Sequence, residues 1–165
     1  MTDDQDLARD LADGPDEAGL EDLREAFTFL DDWEERYGYL IDLGRRLPPL
    51  PEVYKSEDYR VEGCVSKVWL VPRSDAADPE RLLFSADSDA HIVRGLVAII
   101  LMLYSGKTAQ EIIDLDAREV LADLDLEGHL SPSRSNGFYA MVRRIRQMAE
   151  RRLHGLPVPG CVTIQ

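Results

Sequence analysis

Apolar residues recur at helical spacing in the first third of the chain, and this spacing predicts two consecutive helices. The first stripe contains Leu23, Phe27 and Leu30, so ordered structure is expected to begin near residue 20. The second stripe covers 33–47 and ends at a proline cluster. Asp31 and Asp32, just before this stripe, are suited to cap the second helix because their carboxylates can accept hydrogen bonds from free backbone N–H groups.

Two short runs in the middle of the chain are rich in β-prone residues and predict an antiparallel hairpin. The runs cover 67–72 and 81–85, and the turn-forming segment 74–79 separates them. The segment 59–62 is a candidate third strand beside this hairpin.

A stretch that is apolar on nearly all sides covers 92–103 and predicts a helix in the middle of the core. Asp87, Ser88 and Asp89 precede it and are candidate N-caps. Its end is expected at Gly106.

Helix-start signals recur in the last third of the chain. The spacing of Thr108 and Glu111 is that of a capping box, and a further short helix is expected over 118–124. Ser131 followed by Pro132 is typical of an N-cap and first helical position, and predicts the start of a long amphipathic helix.

The order of helices, hairpin and helices predicts an α+β fold. In this fold a small antiparallel sheet of about three strands packs against several helices, and residues 20–154 form the single domain. Residues 1–19 alternate aspartate with small residues and predict an acidic, disordered tail. Residues 155–165 are rich in glycine and proline and predict a C-terminal tail, which contains Cys161.

The net charge of −13 over 165 residues argues against nucleic acid as a partner, because an acidic protein repels phosphates. Two cysteines give no disulfide framework and suit a reducing compartment, so a cytoplasmic location is expected. The acidic N-terminus lacks the basic and apolar regions of a signal peptide. The longest apolar stretch, 96–104, is too short to span a membrane, so no membrane association is expected.

Cys64 is the residue whose setting points to chemistry. Gly63 supplies backbone freedom just before the sulfur, and Lys67 is a nearby cation that could lower the pKa of the thiol. The apolar run after Lys67 predicts that Cys64 lies where a loop enters a strand. The alternative is a small buried hydrophobic residue, since free cysteines are among the most buried residues.

Four kinds of chemistry compete for this cysteine. A metal or iron–sulfur site is disfavoured, because two cysteines and three histidines lack the spacing of a ligand set. A cysteine hydrolase needs a base near the thiol, for which His129 is the one plausible candidate. The glycine motifs of nucleotide-binding loops are absent. A thiol that accepts and donates sulfur needs the fewest residues, namely one accessible cysteine and a group that stabilises its thiolate.

Several segments, in order, resemble the signature of the SufE family, which includes the CsdE-like proteins. They are V-E-G-C-V-S-K-V-W at 61–69, A-D-S-D-A-H-I-V-R-G-L at 86–96, H-L-S-P-S-R-S-N-G at 129–137, and, upstream, W-E-E-R-Y at 33–37 with L-G-R-R-L-P at 43–48. The likeness covers about 23–148, nearly the whole predicted domain.

The resemblance implies a compact α+β fold of the kind shared with the NifU scaffold domain. It implies a sulfur-transfer accessory protein rather than an enzyme. Such a protein takes persulfide sulfur from a PLP-dependent cysteine desulfurase of the SufS or CsdA type and stimulates that desulfurase. It passes the sulfur on to an iron–sulfur scaffold such as SufBCD. The chain itself would need no cofactor and no metal, since PLP belongs to the desulfurase.

The resemblance also implies roles for particular residues. Cys64 matches the sulfur acceptor, and Arg134 matches an arginine expected beside it, where a fixed cation would favour the thiolate and the persulfide. Gly63 and Ser66 match loop positions that shape the pocket of the cysteine. Asp89 matches an aspartate beside the cysteine loop, and a second role as a helix N-cap is equally open.

Some questions stay open at the level of sequence. Many relatives carry glutamine where this chain has Val65 and Lys67. Cys161 is either an inert thiol or a resolving partner that forms a disulfide with Cys64. A regulator that activates the desulfurase by docking alone is an alternative function, and a cysteine hydrolase is a less favoured one. A monomer and a weak homodimer are both open.

Overall fold

The computed structural model describes residues 11 and 14–164. Its α-helices and β-strands, in chain order, are α1 (Glu17–Phe29), α2 (Trp33–Arg45), β1 (Val68–Asp75), β2 (Asp78–Ser88), α3 (His91–Tyr104), β3 (Lys107–Thr108), α4 (Ala109–Asp114), α5 (Ala117–Asp123), α6 (Pro132–Leu153) and β4 (Val162–Ile164). Two short 3₁₀ turns, Glu52–Tyr54 and Glu57–Tyr59, lie between α2 and β1.

The predicted α+β class is confirmed, with a sheet that is larger than expected and mixed. The described strands form one four-stranded sheet in the order β3-β2-β1-β4. Strands β1 and β2 form the expected antiparallel hairpin, in which Val68 lies opposite Ser88. Strand β3 is antiparallel to β2, whereas β4 is parallel to β1.

The prediction of a third strand at 59–62 is wrong, because this segment makes only an isolated bridge between Arg60 and Trp69. The edge strands come instead from β3 and from β4, and β4 lies within the segment 155–165 for which the sequence predicts a tail. Both edge strands are too short to show a periodic pattern, and they exist because β1 and β2 offer free edges. Helix α1 begins before residue 20, and the predicted disorder of 1–19 falls largely outside the described residues.

Several predicted helix starts are confirmed by their capping bonds. Asp32 accepts a hydrogen bond from the Glu35 N–H at 2.8 Å, and Thr108 forms the expected capping box with its partner three residues on. Ser131 caps α6, and Pro132 occupies its first turn.

The predicted caps of α3 are wrong. Strand β2 continues through Ser88, so Asp87 and Ser88 are buried at the end of the sheet. Ala90 is the N-cap of α3 and supplies no side-chain bond. The reason is tertiary, since Asp87 forms ion pairs with Arg94 at 3.0 Å and Lys55 at 3.7 Å instead of capping the helix.

Helix α3 occupies the middle of the core, as its apolar sequence predicts. Every residue from Gly95 to Tyr104 is buried. The helix contacts α1, α2, α6 and the face of the sheet that carries Leu70 and Phe84. The other face of the sheet is covered by the segment before β1, where Leu50 and Tyr54 pack on Val71. This covering segment leads directly into the loop that carries Cys64.

Helices α2 and α3 pack closely together where Gly44 of α2 and Gly95 of α3 face the other helix. A Cβ atom placed on Gly95 would lie 2.3 Å from the carbonyl oxygen of Leu40, and one on Gly44 would lie 2.8 Å from the Gly95 nitrogen. At both glycines the atoms that an added Cβ would meet include backbone atoms of the facing helix. A side chain at either position therefore requires the helices to separate.

Gly95→Ala is therefore expected to destabilise the fold by about 3 kcal/mol, because overpacking against backbone is costly. Gly38→Ala is the matched control, since Gly38 lies in α2 and a Cβ added there would have nothing within 4 Å. The control should be stabilised by about 0.5–1 kcal/mol through helix propensity. Urea denaturation followed by circular dichroism measures both changes. Equal stabilities of the two variants would contradict the close helix contact.

Candidate functional site

Cys64 lies at the tip of a loop that precedes β1. The loop is closed by a hydrogen bond from the Val61 N–H to the Val68 carbonyl at 2.9 Å. Gly63 has a φ of 90°, a left-handed conformation that strongly favours glycine. The predicted placement of Cys64 where a loop enters a strand is confirmed.

The base of this loop is held at Lys67 by the residues that end β2. The Lys67 N–H donates to Asp89 Oδ1 at 3.0 Å, and the Lys67 carbonyl accepts from Ser88 Oγ at 2.8 Å and from the Asp89 N–H at 3.2 Å. Asp89 thus fastens the loop rather than capping α3. Within residues 14–164, the tip 63–66 makes one hydrogen bond, from Cys64 Sγ to the Gly137 carbonyl at 3.6 Å. The loop is therefore fixed at its base and weakly held at its tip.

The tip rests on two small residues of α6. A Cβ on Gly137 would lie 3.5 Å from Cys64 Sγ, and a Cβ on Gly63 would lie 3.3 Å from the Ala140 Cβ. Gly137 and Ala140 are one helical turn apart, so together they form a flat seat for the loop.

A pocket of about 330 Å³ lies beside the thiol. Most of its apolar lining comes from α3 and α6, namely Ile92, Val93, Leu96, Phe138 and Met141, and Val65 and Ala90 complete it. Its polar lining includes Ser66, Ser131, Ser133 and Arg134. The pocket brings together three of the residues predicted from sequence, namely Cys64, Ser66 and Arg134. Gly63 and Asp89 lie outside its lining.

Burial raises the pKa of the half-buried Cys64 thiol above its ordinary value, while Arg143 and then Arg60 lower it. Neither of the cations expected from sequence, the exposed Lys67 and the pocket residue Arg134, is among the charges that shift this pKa. The local sequence could not reveal Arg143, which reaches the loop from α6. The spacing of Gly137, Ala140 and Arg143 along α6 is the signal that could have pointed to it.

The histidines lie elsewhere. Among the described residues, none lines the Cys64 pocket. The His129 ring stacks on Trp33 with ring centroids 3.8 Å apart, and its Nδ1 lies 3.0 Å from the Asp125 carbonyl oxygen. His129 therefore packs the loop before α6 and is not placed to act as the base of a cysteine hydrolase. Across 14–164, no group of three or more histidine, cysteine or carboxylate side chains is arranged to hold a metal ion.

Cys161 lies at the opposite end of both elements that flank Cys64. Burial raises the pKa of its thiol, while the nearby Arg152 and Ser74 side chains lower it. The strand β1 rises about 3.3 Å per residue, which places Ser74 about 20 Å from the end nearest Cys64. The rise of about 1.5 Å per residue along α6 separates Arg152 from Gly137 by about 22 Å. Because a disulfide needs Cα atoms within about 7 Å, Cys161 cannot act as a resolving partner in this fold.

Comparison with known proteins places the chain among relatives of the same fold and sequence pattern. Residues 21–149 match the family model SufE, described as an Fe-S metabolism associated domain. An uncharacterized SufE-like protein of Rhizobium meliloti is 50% identical over 136 residues, covering 81% of this chain and 96% of the relative. Another from Rhizobium etli is 51% identical over 137 residues, covering 82% and 92%.

A solved structure shares the fold. The solution structure of a hypothetical protein from Thermus thermophilus has a TM-score of 0.64 at 18% identity, covering 86% of this chain and 98% of that one. Separately, none of the helices in the described part of the chain has the length and apolar character needed to cross a membrane.

The weak hold on the loop tip predicts fast amide hydrogen exchange at 63–66 compared with β1. Asp89→Ala should accelerate exchange of the Lys67 amide about fivefold, because one hydrogen bond contributes about 1 kcal/mol. Asp75→Ala is the matched control, since Asp75 accepts a similar bond from the Ala77 N–H at 2.9 Å. Exchange read by NMR should change at Ala77 and not at Lys67 in the control. A loop tip as slow as β1 would contradict this description.

Proposed function

Because the chain belongs to the SufE family, whose role lies in iron–sulfur metabolism, we propose that Cys64 is a sulfur acceptor. The donor is a PLP-dependent cysteine desulfurase of the SufS or CsdA type, and the sulfur passes on to an iron–sulfur scaffold such as SufBCD. The observation that supports this most is a half-buried thiol at the tip of a weakly held loop, beside an apolar pocket with an arginine in its lining.

The transfer is a thiol–persulfide exchange. The Cys64 thiol first releases its proton to water, and the resulting thiolate attacks the outer sulfur of the donor's persulfide. One S–S bond forms on Cys64 while the S–S bond of the donor breaks, and the donor cysteine leaves as a thiolate. The transferred sulfur keeps its own proton or negative charge. Electrons balance within this exchange, so it needs no external oxidant or reductant.

While the loop tip rests on Gly137 and Ala140, Cys64 is better suited to store a transferred sulfur than to attack the donor's persulfide. Burial raises the pKa of Cys64, and the Gly137 carbonyl accepts a hydrogen bond that only the protonated thiol can donate. The seated thiol is therefore mainly protonated near neutral pH and reacts slowly. Movement of the tip away from α6 removes both effects, and the thiolate fraction rises where the donor can reach it. Val65, which is 83% exposed, lies next to the thiol and offers the donor an apolar contact.

The site residues then take distinct roles. Arg134 stabilises the negative charge of a persulfide in the pocket, since a guanidinium forms charge-assisted hydrogen bonds. Ser66 contributes a hydroxyl to the same lining. Gly63 supplies the backbone conformation on which the tip turns, and Asp89 keeps the base in place while the tip moves.

The chain acts in this scheme as an accessory protein without a cofactor of its own, since PLP stays with the desulfurase. We place the reaction in the cytoplasm, where both cysteines stay reduced. The cysteine hydrolase alternative gains no support, because the Cys64 pocket has no histidine among its described lining residues.

Cys64→Ser is expected to abolish stimulation of a purified SufS-type desulfurase, because serine cannot accept the sulfur. Alanine release from L-cysteine is measured with and without the wild-type chain, the variant and a matched control. Cys161→Ser is that control, since Cys161 is a second half-buried thiol remote from the pocket. The control should stimulate as fully as the wild-type chain.

Full stimulation by Cys64→Ser would overturn the carrier role and establish a regulator that acts by docking alone. Loss of stimulation in both cysteine variants would also count against Cys64 as the specific acceptor.

A further inference from the structure

The arginines of α6 fall into two groups. Three are tied to backbone carbonyls of neighbouring segments: Arg146 to Ile113 at 2.9 Å, Arg151 to Pro157 at 2.7 Å and Arg152 to Pro79 at 2.8 Å. The guanidinium groups of Arg134, Arg143 and Arg144 make no hydrogen bond or ion pair with any residue of 14–164. These three line the two cavities that border the Cys64 loop.

The second cavity is a polar groove of about 420 Å³. Glu57, Asp58 and residues 60–62 line it from the loop side, and Ala140, Arg143, Arg144 and Gln147 line it from α6. The loop therefore borders the apolar pocket with 64–66 and the polar groove with 60–62. Arg143 reaches the loop from the groove, since its Nη2 lies 3.9 Å from the position of a Cβ on Gly63.

The charged groups on the elements around Cys64 differ in whether an ion pair or a hydrogen bond already engages their charge. They are Arg134, Arg143 and Arg144 from α6, Glu57, Asp58 and Arg60 from the segment before the loop, Glu62 and Lys67 from the loop, Asp89 from the turn after β2, and His91 and Arg94 from α3. Arg60 forms an ion pair with Glu57 at 3.4 Å, and the Asp89 carboxylate accepts from the Lys67 N–H. Arg143 combines proximity to the loop with the lack of any ion pair among the described residues, although Glu57, Asp58 and Glu62 line the same groove.

We propose that Arg143 is a positioning residue that stabilises the negative charge on Cys64 while the loop is seated, from the side opposite to Arg134. This inference rests on the proposed function of Cys64 as sulfur acceptor. A thiolate and a persulfide both place one negative charge at the end of this side chain, so Arg143 acts on the unloaded thiolate and on the stored persulfide while the tip rests on α6. In agreement with this geometry, burial raises the pKa of Cys64, and Arg143 lowers that pKa more than Arg60 does.

Alkylation by iodoacetamide as a function of pH tests this role without any desulfurase, in a Cys161→Ser chain that leaves one thiol. Arg143→Gln should slow alkylation at about pH 7.5 roughly threefold and move the pH profile to higher pH, as expected for one partly solvated charge. The difference should shrink in about 1 M NaCl, because salt screens exposed charges.

Two further variants separate charge from structure. Arg143→Lys keeps the charge and should restore most of the alkylation rate. Arg144→Gln is the matched control, since Arg144 lines the same groove but is not among the charges that shift the pKa of Cys64, and it should behave as wild type. An unchanged profile in Arg143→Gln, or an equal shift in Arg144→Gln, would overturn the proposal.

The same variants distinguish this proposal from the proposed function. A SufS-type desulfurase should still load sulfur onto Cys64 in Arg143→Gln, because attack on the donor takes place after the tip has left α6. If Cys64 accepts no sulfur in any variant, the proposed function fails while the alkylation result stands on its own. If transfer proceeds and the alkylation profile does not move, only the role of Arg143 fails.

Discussion

The contact between the Cys64 loop and α6 is the constraint on which the functional interpretation depends. Gly137 and Ala140 leave room for the loop tip, and the Gly137 carbonyl holds the protonated thiol by one weak hydrogen bond. Deprotonation removes that bond and places a negative charge against a carbonyl dipole. The contact with α6 therefore favours the protonated, unreactive thiol. Arg143 and Arg60 offset part of that preference because they lower the pKa of Cys64.

The fold supplies this seat through its central helix. Helix α3 packs against α6 on one side and against α2 on another, where Gly95 permits the close approach. The same helix contributes the apolar lining of the pocket beside the thiol. The loop base is tied to the end of β2 through Lys67 and Asp89. A rigid core and a fixed loop base thus leave the tip 63–66 as the part free to move.

Much of this could be predicted from local sequence, because local forces decide it. The capping box at Thr108, the start of α6 at Ser131 and the position of Cys64 before a strand depend on neighbouring residues. The strand β4 could not, since it depends on a partner distant in the chain, and the place of Asp89 beside the loop is indicated only by the family resemblance, because its local spacing equally suggests a helix cap. The position of Arg143 beside the loop could not be predicted from local sequence for the same reason, because it arises only when α6 packs against the loop.

The central claim is that one sulfur atom is carried on Cys64. Mass analysis of proteolytic peptides tests it most directly, after incubation of the chain with a SufS-type desulfurase and L-cysteine. We expect that the peptide with Cys64 gains the mass of one sulfur atom, that a reductant reverses the gain, and that the peptide with Cys161 is unchanged. An unmodified Cys64 peptide under conditions in which the desulfurase turns over, or added sulfur on Cys161 alone, would contradict the claim.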